Sequence, residues 1–119
     1  MAAPTQFTPM PLLDGTAIPD AAAVAYAAPA GANDKGVIIA GLRVVNISTS
    51  QILLSLWVVP SGGARSDTNK IEHVGSIPTD GFDHVFLKAV MLEPGDAVHW
   101  LAGVAASLSG RIDGVKMET

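Results

Sequence analysis

The chain has 119 residues, enough for one domain with a single core; about half are hydrophobic and 15% are charged. Seven Lys and Arg against eleven Asp and Glu leave a formal charge of −4, which argues against broad electrostatic binding of nucleic acid or an anionic membrane. Cysteine is absent, so disulfides, thiolate metal sites and a cysteine nucleophile are excluded. No stretch reaches the roughly 18 to 20 apolar residues that a membrane span needs. No Lys or Arg precedes the first apolar residues, so the start of the chain does not read as a signal peptide, and synthesis in a cytoplasm is the expectation.

Residues 1–23 read as an extended Pro- and Ala-rich N-terminal arm, ahead of a β domain over residues 24–119. Pro4, Pro9, Pro11, Pro19 and Pro29 crowd residues 1–35, and little regular structure of its own is predicted up to residue 20. Between Pro19 and Pro29, Ala21, Ala22 and Ala23 allow two helical turns at most, whereas Val24, Tyr26 and Ala28 alternate as a short strand would. The arm is either a frayed tail or a segment laid along a neighbouring subunit. Phe7, Met10, Leu12, Leu13 and Ile18 favour the second, because a solvated tail rarely carries so many apolar side chains.

Asn33, Asp34 and the glycines at 31 and 36 form a turn by composition. Two apolar strands follow, Val37 to Ile47 and Ile52 to Val59, joined by the polar turn Ser48-Thr49-Ser50. On the first, Ile38, Ala40, Leu42 and Val44 are expected on one face, with Ile39, Arg43, Val45 and Ile47 on the other. On the second, Ile52, Leu54, Leu56 and Val58 form one face. Leu53, Ser55, Trp57 and Val59 form the other, which is hardly more polar. An antiparallel sheet with one wet side would alternate cleanly. Here both faces call for cover, so Leu53, Ser55, Trp57 and Val59 are the candidate oligomer interface.

Pro60 to Asp67 reads as a Gly-rich loop and Ile71 to Ile77 as a short strand, closed by a turn at Pro78 to Gly81. A strand is expected over Phe82 to Val90. Glu93-Pro94-Gly95-Asp96 is the sharpest local signal: Pro presets the second turn position, and Gly supplies the positive φ that a type II turn needs at the third. It should lead into a strand over Ala97 to Ala102, with Val98 and Trp100 on one face and His99 and Leu101 on the other. A last strand, Ala106 to Val115, places Leu108, Gly110, Ile112 and Gly114 inward, with Ser107, Ser109, Arg111 and Asp113 outward. Short strands at regular spacing, without a helical period, predict an all-β fold: an antiparallel β-sandwich of jelly-roll or immunoglobulin-like type, with six to eight strands and the extended arm.

Reactive constellations are sparse. His73, His84 and His99 stand in no HxH or HExxH spacing, so half-exposed strand positions are the simpler reading. Pro94-Gly95-Asp96 with His99 resembles a cupin turn, but the paired histidines and glutamate of that family are missing. There is no GxSxG elbow, and Ser61-Gly62-Gly63 lacks the ending of a phosphate loop. Asp67, Glu72, Asp80, Asp83, Glu93 and Asp96 are scattered over turns and edges, with no acid/base couple among them. Trp57, Trp100 and Tyr26 could form a sugar-stacking platform, although core or interface packing suits both tryptophans better. No catalytic residue, cofactor or metal is expected.

The run AYAAPAGANDKGVIIAGLRVVNISTSQILLSLWVVPSGGARSDTNKI, followed by LEPGD and a terminal strand ending SGRIDGV, resembles small virion proteins of tailed bacteriophages. The resemblance covers about Val24 to Val115 and rests on the order and spacing of ordinary β-turn motifs. It implies a non-enzymatic capsid decoration or cement protein on the outside of the head, which trimerises where capsomers meet. Its partners would be copies of itself and the major capsid protein, with no nucleic acid and no membrane. The N-terminal arm, through Phe7, Met10, Leu12, Leu13 and Ile18, would grip the shell or a neighbour. The rival readings are a tail, baseplate or fibre component of the same fold, a carbohydrate-binding module and a small metalloenzyme.

Overall fold

The computed structural model describes residues 3–66, 68–79, 82, 84–86 and 89–119, with the backbone alone over 71–76. Among these residues there is no helix, and nine strands are formed: β1 (Gln6–Ala17), β2 (Ala23–Ala27), β3 (Asp34–Asn46), β4 (Ile52–Val59), β5 (Lys70–Ile77), β6 (His84–Val85), β7 (Val90–Leu92), β8 (Ala97–Ala102) and β9 (Leu108–Glu118). The larger sheet has the order β1-β9-β3-β6, with β7 pairing β3 beside β6; the smaller has the order β2-β8-β4-β5. Every pairing is antiparallel. β6 and β7 are successive stretches along one side of β3. Counted as one strand, they leave a chain that switches sheet at every step except β4 to β5. That order is the jelly roll, which decides between the two sandwich types.

The two sheets share one core. Val37, Ile39, Leu42 and Val44 of β3 and Leu108 and Ile112 of β9 meet Leu54 and Leu56 of β4 and Val98, Trp100 and Ala102 of β8. Full burial of each Leu or Ile contributes about 1.5–3 kcal/mol relative to exposure. The inward face of β9 carries glycines for a steric reason. A Cβ on Gly110 would lie 2.6 Å from Cζ3 of Trp100, and one on Gly114 would collide with the Ile38 carbonyl. The large indole therefore takes the room that the small residue leaves.

β3 departs from simple alternation. The register slips between Ile39 and Gly41 against two consecutive residues of β9, which marks a bulge at Ala40. The bulge moves Val37 and Ile39 onto the core face with Leu42 and Val44, while Ile38 and the exposed Ala40 lie outside. The expected grouping of Ile38 and Ala40 with Leu42 and Val44 is corrected accordingly. One extra residue inverts the phase of everything before it.

The turn at Glu93–Asp96 is type II as expected: Gly95 has φ 88° and the Asp96 N–H donates to the Glu93 carbonyl at 3.0 Å. The expected strand over Phe82 to Val90 is shorter and broken into β6 and β7; Leu87 and Lys88 of that stretch lie outside the described residues, as do Asp80 and Gly81 of the turn before it. The last strand starts later and runs further than expected, to Glu118.

The N-terminal stretch is the largest difference. From Gln6 to Ala17 it is β1, an edge strand of the larger sheet paired along β9, where an extended arm with little structure of its own was expected. Pro9 and Pro11 suit an edge strand, where a missing N–H is tolerated and blunts the open side against further pairing. Ile18, just beyond β1, is fully buried, and its N–H donates to the Leu108 carbonyl at 2.9 Å.

Candidate functional site

The surface singled out in the sequence is the outer face of the smaller sheet. β4 presents Leu53, Ser55, Trp57 and Val59 there, opposite the core-facing Ile52, Leu54 and Leu56. The four do not form one open patch. Ser55 and Val59 are buried within the chain, at 8% and 4% exposure, whereas Leu53 is half exposed and Trp57 partly so.

The row through Trp57 runs across the sheet. His99 of β8 and Lys70 of β5 are its register partners on either side, and Val24 of β2 pairs His99. The Lys70 ammonium stands 5.3 Å from the centre of the indole, within cation–π range. Nη1 of Arg65, from the β4–β5 loop, lies 2.7 Å from Nδ1 of His99. A guanidinium can only donate, so Nδ1 is the acceptor and the neutral ring carries its proton on Nε2. Burial first, and then the Arg65 charge, hold this imidazole below its ordinary range.

The loop that carries Arg65 is fixed in place. The Ser61 N–H donates to Oδ1 of Asp96 at 3.0 Å. Asn69 accepts from the Ser66 N–H and donates to the Ala64 carbonyl, tying the loop across its base. Gly62, at φ 76°, lets the chain turn so that the Gly63 N–H reaches the Pro60 carbonyl. The loop is therefore Gly-rich for a turn. Asp67 lies outside the described residues.

The five arm residues divide. Phe7 and Met10 are exposed on β1, Leu12 and Leu13 are half-buried against the core, and Ile18 belongs to the core itself. Ile18 therefore cannot reach a neighbour from within this fold.

The structure does not bring His84 and His99 together. His99 is on the smaller sheet and His84 on the larger, and His73 sits on the β5 backbone opposite Ser55. Among the described residues, no group of three or more His, Cys, Asp or Glu could hold a metal ion. Asp96 is occupied by the turn, its carboxylate accepting the Ser61 and Glu93 N–H groups. Asp80 and Asp83 lie outside the described residues. Trp100 is in the core, so it shares no surface with Trp57, and a platform of both is excluded.

Two arrangements were not read from the sequence. The Arg65–His99–Trp57–Lys70 cluster depends on strand register and a returning loop, and it is completed by His99 from far along the chain. Asn46 is buried at the end of β3, its amide donating to the Ser50 and Ile77 carbonyls while its oxygen accepts from the N–H and hydroxyl of Ser48. Asn before a Ser-Thr-Ser turn was the available signal. Comparison with protein-family models, with curated proteins and with solved structures returned no match.

Proposed function

We propose that this chain is a structural protein of a tailed-bacteriophage particle: a decoration or cement protein that oligomerises, as a trimer, on the outside of the head and adds contacts between capsomers. The observation that carries the reading is the distribution of apolar surface. In a chain of only 15% charged residues, large apolar side chains stand exposed on both sheets and on the loops, among them Phe7, Val24, Ile47, Leu53, Met91 and Val104. Single exposed apolar residues are ordinary, but so many on a small, weakly charged domain suit one that buries surface against other subunits. The jelly roll supports the reading without deciding it, because viral shell domains share the fold with lectins and many others. The order of the GLRVVN, VVPSGG and EPGD motifs supplies the phage association.

The grip on the shell differs from an arm that folds on its neighbour, since β1 belongs to the domain. The available gripping elements are Phe7 and Met10 on the exposed edge and the apolar loop residues Ile47 and Val104. Adding the purified protein to heads that lack it tests the reading. Hundreds of bound copies and a higher temperature of DNA release are expected. A few copies confined to the tail would move the protein to an adaptor or baseplate role. Partial exposure of Trp57 favours one further alternative, carbohydrate binding, for which a glycan array showing binding abolished by Trp57→Ala is the test.

A further inference from the structure

The charges of this chain are not evenly matched. Arg111 pairs with Asp113, and Lys116 with Asp34 and Glu118. Arg65 and Lys70 have no carboxylate partner among the described residues, and both stand about Trp57 on the outer face of the smaller sheet. Asp14 and Asp20 are likewise exposed with no cation partner among the described residues. These two pairs lie on different sides of the sandwich. Lys70 is on β5, at one edge of the smaller sheet, and Arg65 is in the loop leading to it. Asp14 is on β1 and Asp20 just before β2, at the opposite edge.

We infer that the outer face around Trp57, which carries Arg65 and Lys70, docks head-to-tail on the β1–β2 edge of a second copy of this chain, setting Arg65 and Lys70 against Asp14 and Asp20. The inference rests on the self-association proposed above and adds which surfaces meet. Each side supplies apolar surface as well as charge. Leu53 and Trp57 accompany the cations, while Met10 and the half-buried Leu12 and Leu13 lie beside the carboxylates. Trp and Arg are the residue types that most often carry binding energy at interfaces. The principal extents of 48 × 27 × 18 Å give broad faces on which the ~800 Å² per partner of a stable contact fits. Because the surfaces that meet are different, the contact is heterologous, and it closes into a ring such as a trimer when the rotation between copies allows. His99 contributes by fixing the Arg65 guanidinium through Nδ1, so less freedom is lost on docking.

The test uses the full chain in light scattering and sedimentation. The wild type is expected to be an oligomer whose dissociation constant rises with salt between 0.05 and 0.5 M (about these limits), as screened charge pairs require. Arg65→Glu with Lys70→Glu should weaken self-association by about a hundredfold or more through like-charge contact. Asp14→Lys with Asp20→Lys should do the same. Mixing the two variants should restore assembly, because each then offers the other a complementary surface. Near-ultraviolet circular dichroism checks that each variant is folded, and Arg65→Gln with Lys70→Gln serves as a milder pair if a reversal is not. An oligomeric wild type unaffected by either pair of changes would overturn this docking while leaving self-association standing. A wild type that is monomeric at millimolar concentration would overturn both.

Discussion

Asn46 illustrates how one polar side chain can organise a loop inside an apolar fold. Its amide and carbonyl are fully engaged with Ser48, Ser50 and Ile77, linking the β3–β4 turn to the end of β5. Asn46→Ala would remove these bonds and leave the buried Ile77 carbonyl without its Asn46 donor, so a loss of about 1–3 kcal/mol is expected, read as a lower urea midpoint at unchanged slope. Tyr26 offers a second residue-scale check because it is the chain's single tyrosine. Burial first, and the Asp34 carboxylate second, raise its phenol above the ordinary 10.0. Its absorbance titration should therefore have a midpoint above 10.0, and Asp34→Asn should bring that midpoint part of the way back. A phenol raised in the folded state contributes stability that is intact below its ordinary pKa and is lost as pH rises through the folded value. The sign is opposite for His99, whose pKa is lowered. Its contribution is present above pH ~6.5 and lost as pH falls through the lower folded value, and His99→Gln, which keeps an acceptor for Arg65, should remove that acid dependence.

At the scale of elements, legibility followed how local the cause was. β4 and β8 were readable to the residue, because alternation and turn chemistry fix them within a few positions. The Pro94-Gly95 turn was readable for the same reason. The face assignment of β3 was not, since its bulge exists only against β9, far along the chain. β1 was hidden twice over: its prolines argue against a strand, and its partner is the last strand of the fold. Of the candidate site, Leu53 and Trp57 were legible as an outer face. The burial of Ser55 and Val59, and the cations around Trp57, depend on packing and register that periodicity does not encode. The former arm gives the sharpest element-scale prediction. Ile18→Ala should cost about 2–5 kcal/mol, as for a large buried aliphatic residue. Phe7→Ala, on the exposed part of the same stretch, should cost within about 0.5 kcal/mol. Equal and negligible effects at both positions in thermal or urea unfolding would return residues 1–23 to the status of a free arm.

At the scale of the whole molecule, the topology makes folding a problem of long-range pairing. β1 pairs β9, β3 pairs β9, and β2 and β4 both pair β8, while among the described residues β4 and β5 are the one paired couple of strands consecutive in the chain. Neither sheet can be completed until the C-terminal part of the chain arrives, so loop-closure entropy is spent before most native contacts form. Refolding in milliseconds to seconds is expected, as for other β-sandwiches, and not in microseconds. Trp100 is well placed to report it, since its ring lies against Gly110 of β9 and is buried only when the last strand closes on the smaller sheet. In a Trp57→Phe background it is the single indole, so stopped-flow fluorescence follows that closure directly. Substituting Gly110 with Ala should then do two things. It should destabilise by about 1–3 kcal/mol, because the new methyl meets the indole, and it should perturb the emission of folded Trp100. A microsecond relaxation, or Trp100 emission indifferent to Gly110→Ala, would mean that the indole is buried by local structure before β9 docks, which the jelly-roll order of strands does not allow.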